Sequence, residues 1–284
     1  MRILVTNDDG IDSIGLHALA NAMRPHGDVT VVAPASEYSG AGASLGTLTF
    51  DEPIARPHDI EALDGLTTWS VSGPPALCVL YAQLGSFGEP FDLVVSGINP
   101  GQNVGWSVYH SGTIGAALTG RNRGASGLAM SIGFSGNDVE GQTWGEIVEG
   151  MLWDSAATIA SKIVEGMIAT PTSTPTVINC NVPNKPLHEL EGWKLARVGS
   201  EPPRKLVTGK LVPDDPDELG EVFKLSIDWG AAGEALPGTD AWLVRNDAVS
   251  VTWLGDLAET TPDAAQHGAV AAGLDGLLGA SAVE

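Results

Sequence analysis

The sequence predicts an α/β fold, a Rossmann-like three-layer domain in which a mainly parallel sheet lies between two layers of helices. Two apolar runs, Ile3–Val5 and Val29–Ala33, flank a segment with helical spacing of apolar residues over Ile14–Met23. A buried strand, a helix and a second buried strand are typical of parallel sheets, whose strands are covered on both faces. Polar, Gly-rich segments also follow the predicted strands repeatedly, as expected where parallel strands end at one edge.

The same alternation of strands and helices continues to about Asn137, beyond which one long helix and one further strand follow. Further strands are predicted at 67–71, 91–95, 128–132 and 176–181. Helices are predicted at 75–84, from the segment 110–113 to about 121–124, and at 144–167. The Gly- and Ser-rich segments 36–49 and 96–101 are predicted to be loops. Four polar loops, at 7–10, 36–44, 96–103 and 110–113, would then outline a site at the sheet edge.

The pattern changes in the last third of the chain. Residues 192–256 contain short alternating runs separated by turn residues, which predicts antiparallel β-hairpins added to the α/β core. The acidic cluster 214–218 is predicted to be an exposed turn, and the last twenty residues a weak terminal helix. We therefore predict a Rossmann-like catalytic core over 1–185 and a hairpin-rich elaboration over 186–284 that packs back on it.

The charge balance limits the classes of partner. Thirty-five acidic residues against 14 basic ones give a formal net charge of −21, and no long basic run occurs. Nucleic acids and anionic membranes attract proteins through clustered Lys and Arg side chains, so we expect neither a nucleic-acid polymer nor a membrane as partner. A small phosphorylated substrate would need local positive charge, which a metal ion could supply.

Cysteine usage and the amino-terminal residues predict a cytoplasmic protein. The two cysteines, Cys78 and Cys180, form no CxxC motif, which indicates neither a disulfide framework nor a zinc site. The chain runs from Met1 directly into a strand pattern, so we expect no signal peptide. No apolar run reaches the roughly 18 residues that a membrane span needs.

Asp8 and Asp9 are the first candidate site residues. Two adjacent carboxylates just past a buried strand repel each other, and burial without a partner would cost several kcal/mol. A hard cation such as Mg²⁺, Mn²⁺ or Ca²⁺, which prefers oxygen ligands, would remove this conflict. The alternative is that one aspartate caps the following helix or holds an Asx turn.

Three other loops offer groups that would complete such a site. Ser39 and Asn99 offer neutral oxygens, although both residue types are common in plain turns. Ser111 opens a predicted helix, where free N–H groups and the helix dipole favour phosphate; an ordinary N-cap is the alternative. His110 lies in the same loop. Glycines would let backbone N–H groups approach an anion at four positions: Gly40, Gly97, Gly101 and Gly112.

Three familiar classes of nucleotide-binding or hydrolytic protein lack support in the sequence. No GxxxxGK[ST] motif occurs, which excludes a P-loop NTPase. The glycines of 40–46 follow the second strand with the wrong spacing for a dinucleotide-binding loop, and no helix follows them. The GxSxG nucleophile elbow of α/β-hydrolases is also missing.

Several motifs, taken in order along the chain, carry a family resemblance. They are Asn7-Asp8-Asp9-Gly10-Ile11, Val32-Ala33-Pro34 with Ser39-Gly40, and Val95-Ser96-Gly97-Ile98-Asn99 with Gly101 and Asn103. They continue with Ser111-Gly112-Thr113, Ala116-Ala117, Gly120-Arg121, Asn179-Cys180-Asn181-Val182-Pro183, Gly238-Thr239-Asp240 and Val249-Ser250-Val251-Thr252. Together they resemble the SurE family of 5′/3′-nucleotidases, also described as survival-protein phosphatases.

The resemblance implies a metal-dependent phosphatase that hydrolyses nucleoside 5′- and 3′-monophosphates and, in some members, short polyphosphate. It implies one divalent ion per subunit, Mg²⁺ or Mn²⁺ with Ca²⁺ as a substitute in crystals. The metal ligands that it implies are Asp8, Asp9, Ser39 and Asn99. It also implies homodimers or homotetramers formed by exchange of C-terminal segments, which would involve 186–284.

We expect direct attack of water on the phosphoryl group, with Asp8, Asp9 and Asn99 as the catalytic residues. An aspartyl-phosphate route would suit an Asp-x-Asp spacing, which this adjacent pair lacks. The candidate phosphate-binding residues are Asn7, Gly40, Asn103, Ser111, Gly112 and Thr113. The candidates for the general acid that protonates the leaving group are a metal-bound water molecule and His110.

Three positions depart from the family pattern. Leu77 replaces a usual acid, Trp106 stands where acidic residues are common, and His110 stands where tyrosine is frequent. These changes leave the implied metal ligands intact and bear on substrate preference. Two alternatives stay open: a nucleotide-sugar or cofactor-using enzyme on the same fold, and a SurE-like protein that binds nucleotide or metal with impaired turnover.

Overall fold

The computed structural model describes residues 1–46, 52–134, 144–201, 206–217, 220–231, 233–257, 261 and 264–278. The strands are β1 (Arg2–Thr6), β2 (Asp28–Pro34), β3 (Ala55–Pro57), β4 (Thr67–Val71), β5 (Leu93–Pro100), β6 (Ser126–Ile132), β7 (Val177–Val182), β8 (Trp193–Leu195), β9 (Leu206–Asp217), β10 (Gly220–Trp229) and β11 (Val249–Leu254). The α-helices are α1 (Ile14–Met23), α2 (Pro75–Gln83), α3 (Gly112–Arg121), α4 (Trp144–Glu149), α5 (Trp153–Ala169), α6 (Asp240–Arg245) and α7 (Ala264–Leu278).

A mainly parallel sheet organises the chain, as predicted. Among the described residues, nine strands form one sheet in the order β3-β4-β2-β1-β5-β6-β7-β11-β8. The strands from β4 to β7 in this order run parallel. From β1 the chain moves to β2 on one side, and it later returns to β5 on the other. Ligands bind at the carboxyl ends of parallel strands where the strand order reverses in this way, so the crevice between β1 and β5 is the expected site.

Helices cover both faces of the sheet, which confirms the three-layer α/β prediction. Residues of β1 alternate between the two faces: Ile3 and Val5 pack in the apolar cluster beneath α1 and α5, and Leu4 in the cluster beneath α2 and α3. All three side chains are fully buried. This two-sided burial is the reason why the middle of β1, Ile3 to Val5, and most of β2 are apolar in sequence.

The single long helix predicted at 144–167 is wrong. Helix α4 ends at Glu149 and α5 begins at Trp153, with Gly150 to Leu152 between them. Glycine disfavours a helix interior, and here Met151 turns into the core with 5% of its surface exposed. The backbone N–H of Leu152 donates to Asn184 Oδ1 at 2.8 Å instead of continuing a helical ladder.

The turn predicted at 96–101 is wrong in part, because β5 continues to Pro100. The pairing of β5 with β6 shifts register between Ser96 and Asn99, so the strand passes through an irregularity there. Gly97 lies in this irregularity with φ of +128°, and a Cβ at this position would lie 2.3 Å from the Met130 carbonyl oxygen. Only glycine fits such a close approach. The strand therefore delivers Asn99 to the sheet edge.

The C-terminal third contains one antiparallel hairpin, β9–β10, among the described residues. The prediction of hairpins is thus confirmed for this segment, but β8 and β11 join the main sheet. The turn predicted at 214–218 is wrong for Asp214 to Asp217, which belong to β9, and its last residue, 218, lies outside the described residues. In this pair of strands Lys224 Nζ lies 2.8 Å from Asp214 Oδ2. The short elements β3 and α6 were not predicted.

The chain divides into two compact units, Met1–Leu254 and Gly255–Glu284. In the second unit the predicted terminal helix is observed as α7, and its last predicted residues, 279–284, lie outside the described residues. Part of the predicted loop, 47–49, also lies outside them. The division at residue 185 and the exchange of a terminal segment remain predictions. No helix in the described part of the chain has the length and apolar character needed to cross a membrane.

Candidate active site

The turn after β1 presents Asp8 and Asp9 at the carboxyl edge of the sheet. Asn7, fully buried, shapes this turn: its Nδ2 donates to the Gly10 carbonyl at 3.0 Å and to Ser13 Oγ at 2.7 Å. Ser13 in turn caps α1 by accepting from the Leu16 N–H at 3.3 Å. Since Ser13 is the cap, neither aspartate performs that role, and the alternative interpretation of the pair as helix caps is wrong.

Asp8 is buried against the start of α3. Its side chain is 3% exposed, and its Oδ1 accepts a 2.7 Å hydrogen bond from Thr113 Oγ1. A Cβ at Gly112 would lie 2.8 Å from both Asp8 Cβ and Asp8 Oδ2, so only glycine permits this approach. Burial raises the pKa of Asp8, while the Thr113 hydroxyl and the backbone N–H groups of Gly112 and Thr113 lower it. The N-terminus of α3 thus faces a carboxylate.

The environment of Asp9 disfavours its negative charge. Burial, the neighbouring charge of Asp8 and the charge of Glu37 raise the pKa of Asp9 to about 8. Its Oδ2 is buried, and none of the residues that the structure describes donates a hydrogen bond to it. A buried polar atom without a partner costs about 1–3 kcal/mol. A divalent cation would satisfy this oxygen and cancel the repulsion between the two carboxylates, so the residues present fit a metal ion.

The loop that carries Ser39 and Gly40 is fastened to two other site loops. On one side of Ser39, the Tyr38 N–H donates to the Asp8 carbonyl at 2.7 Å. On the other side, the Gly42 N–H donates to the His110 carbonyl at 3.0 Å. Ser39 and Gly40 themselves are exposed. The loops at 7–10, 36–44 and 110–113 are therefore brought together, as the sequence predicted.

Asn99 reaches the same edge from β5. Thr6 pairs with Ser96 across β1 and β5, so the segments that follow both strands emerge side by side. The Asn99 Nδ2 donates to the Gly101 carbonyl at 2.6 Å, which makes its Oδ1 the atom suited to a cation. Ser39 and Asn99 would then add neutral oxygen ligands to the charged ones of Asp8 and Asp9 around a bound cation. Within the described residues no group of three or more His, Cys, Asp or Glu is arranged to hold a metal.

The candidate phosphate-binding residues already take part in internal hydrogen bonds. Ser111 is the N-cap of α3, since its Oγ accepts from the Ile114 N–H at 3.1 Å. Asn103 is 8% exposed, and its Nδ2 donates to Ser131 Oγ at 3.0 Å and to Thr113 Oγ1 at 3.4 Å. These bonds fix the shape of the site. Phosphate binding by this set remains a prediction.

Three residues near the site were not predicted. Glu37 adds negative charge beside Asp9. Asn179 and Asn181 lie on β7, fully buried, and both donate to the Asn103 carbonyl, at 2.9 and 3.2 Å. The signal that could have found the pair is the Asn-Cys-Asn pattern inside an apolar strand, because residues two apart share a face and a buried amide needs partners.

The three departures from the family pattern occupy different environments. Leu77 is buried in α2 with 3% of its surface exposed. Trp106 is 55% exposed and precedes the Ser111 loop. His110 is exposed and contributes its backbone carbonyl to the contact with Gly42. None of these three replaces a predicted metal ligand.

Comparisons with known proteins point to one protein family. Residues 3–205 match the protein family described as Survival protein SurE. The chain is 38% identical to the 5′-nucleotidase SurE of Alkalilimnicola ehrlichii over 252 residues, which cover 89% of this chain and 88% of that protein. It is 37% identical to the 5′-nucleotidase SurE of Stenotrophomonas maltophilia strain K279a over 256 residues, with the same coverage.

A solved structure shares the fold over almost the whole length. The crystal structure of the SurE protein from Aquifex aeolicus has a TM-score of 0.68 and 29% sequence identity, and the match covers 98% of this chain and 99% of that one. The family match extends over most of the chain, and the relatives are covered along most of their length. This chain belongs to the SurE family.

Proposed function

We propose that this chain is a nucleotidase that hydrolyses nucleoside 5′- and 3′-monophosphates with one bound divalent cation, Mg²⁺ or Mn²⁺. Membership of the SurE family supports the proposal, and so do the relatives named 5′-nucleotidase at 37–38% identity. The position of the aspartate pair at the carboxyl edge of β1, beside β5, agrees with the place where α/β sheets bind ligands.

One observation carries the metal-dependent part of this proposal. Asp9 Oδ2 is buried without a donor among the described residues, directly beside the buried Asp8 carboxylate. Two neighbouring carboxylates of this kind need a cation to be ionised together. A small phosphorylated substrate would also need a cation at the site, because its negative charge is repelled by a chain with a net charge of −21.

The residues of the chain would divide the work as follows. Asp8 and Asp9 would hold the cation with charged oxygens, and Ser39 and Asn99 with neutral ones. When bound, the cation would supply Lewis acidity at a phosphoryl oxygen and would acidify water. Thr113 holds the Asp8 carboxylate in place through its hydroxyl. Backbone N–H groups near Gly40 and the start of α3 would bind the remaining phosphate oxygens.

The proposal extends to short polyphosphate as a second substrate and to a homodimer or homotetramer as the working form. The hairpin β9–β10 supports an oligomer, because it exposes several large apolar side chains. These are Val207, Leu211, Val212, Phe223, Leu225 and Ile227, which are 43–83% exposed. An exposed apolar group of this size is typical of an interaction surface.

The test is release of phosphate from nucleoside 5′- and 3′-monophosphates with Mg²⁺, Mn²⁺ or EDTA, by wild-type protein and by Asp9→Asn. The matched control is Asp12→Asn, since Asp12 lies in the same turn region, but its side chain is 76% exposed and pairs with His58. We expect metal-dependent release that Asp9→Asn abolishes and Asp12→Asn retains.

Tight nucleotide binding without phosphate release would contradict the proposal and would favour the binding protein with impaired turnover. Release that EDTA leaves unchanged would contradict the metal-dependent mechanism alone. Release from other phosphate esters but from no nucleotide would contradict the substrate class alone.

A further inference from the structure

A continuous hydrogen-bond path connects β7 to the candidate metal ligand Asp8. Asn181 pairs with the backbone of Asn103 through two bonds: its Oδ1 accepts from the Asn103 N–H at 2.7 Å, and its Nδ2 donates to the Asn103 carbonyl at 3.2 Å. Asn179 Nδ2 adds a third bond to the same carbonyl at 2.9 Å. The main chain at Asn103 is thereby held by side chains that lie 76 and 78 positions further along the chain.

The path continues from the Asn103 side chain to Asp8 through hydrogen bonds whose donors and acceptors are fixed by the side-chain chemistry. The Asn103 amide can only donate through Nδ2, and it does so to Ser131 Oγ and Thr113 Oγ1. Thr113 has one hydroxyl proton, and since it accepts from Asn103, this proton is directed to Asp8 Oδ1 at 2.7 Å. The Thr113 hydroxyl is thus the donor of this hydrogen bond and Asp8 Oδ1 is the acceptor.

Burial makes this path rigid. Asn179, Asn181, Thr113 and Ser131 are fully buried, and Asn103 is 8% exposed. A buried polar group that loses its partner costs about 1–3 kcal/mol, so each member constrains the next. Ser131 also pairs with Asn181 on one side and with Asn99 on the other in the sheet register. The path therefore passes beside Asn99 at Ser131 and ends at Asp8, two of the candidate metal ligands.

We propose that Asn181, assisted by Asn179, is a positioning residue for Asp8 and acts through the Asn103 amide and the Thr113 hydroxyl. The inference rests on the proposed function, because Asp8 needs this orientation to hold a divalent cation. Side chains that orient metal ligands typically change metal affinity 10- to 100-fold when they are removed.

The experiment measures Mn²⁺ binding to the full chain by calorimetry after removal of metal, together with thermal unfolding. The variants are Asn181→Ala, Thr113→Val and the double variant. We expect each single change to weaken Mn²⁺ binding about tenfold. The double variant should bind no more weakly than the weaker single variant, because both changes break the same path. Thr113→Ser, which keeps the hydroxyl, should retain wild-type affinity.

The matched control is Ser250→Ala. Ser250 pairs with Asn181 across β11 and β7 and is fully buried, and no described residue hydrogen-bonds its hydroxyl. We expect it to leave Mn²⁺ affinity unchanged. If Asn181→Ala fails to fold, Asn179→Ala removes only one of the three bonds to Asn103 and should give a smaller loss in the same direction.

An Asn181→Ala protein that unfolds at a lower temperature but binds Mn²⁺ like wild type would overturn the inference. Additive effects in the double variant would overturn it as well. In both cases wild-type binding and nucleotide hydrolysis leave the proposed function standing. A wild-type protein that neither binds Mn²⁺ nor releases phosphate contradicts the proposed function, and the positioning role falls with it.

Discussion

Gly112 approaches Asp8 so closely that a methyl group at position 112 would lie 2.8 Å from Asp8 Cβ and from Asp8 Oδ2. This contact joins the first turn of α3 to the residue that follows β1. It brings the backbone N–H groups of Gly112 and Thr113 to the carboxylate, where they favour its ionised form. The absence of a side chain at Gly112 therefore allows the backbone hydrogen bonds that stabilise the charge of Asp8.

We predict that Gly112→Ala displaces Asp8 and lowers phosphate release at least about tenfold, as expected when a reacting group is misplaced. The control is Gly166→Ala in α5, where none of the described residues lies within 4 Å of the added methyl group. This control should keep full activity and gain about 0.5–1 kcal/mol of stability. Equal activity in the Gly112→Ala protein would show that the contact has no role in the site.

Asp9→Asn should change activity and stability in opposite directions. The amide keeps the shape of the side chain but removes a charge that burial and Asp8 oppose. We predict a loss of phosphate release of at least about 100-fold, because even the loss of a side chain that only orients a metal ligand typically costs about 10- to 100-fold. Without metal, the melting temperature should rise above that of the wild type. A variant that melts at a lower temperature than the wild type in EDTA would argue against a strained pair.

The stability of the metal-free protein should depend on pH through Asp9. Its pKa is raised from 3.8 to about 8 in the folded state, so the folded protein holds a proton that the unfolded chain loses. The stabilisation from this group is complete below pH 3.8 and is lost as the pH rises toward 8. The slope should approach about 1.4 kcal/mol per pH unit.

The check is thermal unfolding in EDTA between pH 5 and 8, with wild type and Asp9→Asn compared. The variant should show the shallower decline, because it carries no titrating group at this position. Both proteins carry the same other acidic residues, so the effect of their charges on stability cancels when one curve is subtracted from the other. Parallel curves would contradict the raised pKa of Asp9.

Asp240 is predicted to stabilise the C-terminal part of the first unit. It is fully buried and accepts hydrogen bonds from the backbone N–H groups of Gly105 at 3.0 Å, Gly199 at 3.0 Å and Ala241 at 2.8 Å. Asp240→Ala leaves these donors without their acceptor, and each lost partner costs about 1–3 kcal/mol. Chemical denaturation should report a loss of at least about 3 kcal/mol.

Asp240→Asn serves as the comparison, because its amide oxygen can still accept. This variant should recover part of the loss. If Asp240→Ala and Asp240→Asn are equally stable, the three hydrogen bonds contribute little to the fold.

The parts of the fold that the sequence predicted depend on local pattern. The apolar runs of β1 and β2 identify buried parallel strands, since both faces of such strands lack solvent. The turn that carries Asp8 and Asp9 follows directly from where β1 ends. Gly97 shows the limit: a Gly-containing segment resembles a turn, although here the glycine lets β5 pass close to β6.

The relations that sequence could not predict join distant positions. Asn179 and Asn181 contact Asn103 only because β7 lies beside β6, with β5 and β6 between β7 and β1. The pairing of β8 with β11 joins segments more than 50 residues apart, so the local sequence pattern does not predict it either. Glu37 belongs to no recognisable sequence motif. It raises the pKa of Asp9 only because the loop after β2 folds toward the turn that carries Asp9.

The most direct test of the central claim is a single assay: phosphate release from a nucleoside 5′-monophosphate before EDTA, after EDTA and after addition of excess Mn²⁺. The proposed site at Asp8 and Asp9 predicts activity that EDTA abolishes and Mn²⁺ restores in the wild type, with no restoration in Asp9→Asn. Activity that persists in EDTA, or that Mn²⁺ restores equally in Asp9→Asn, would contradict it.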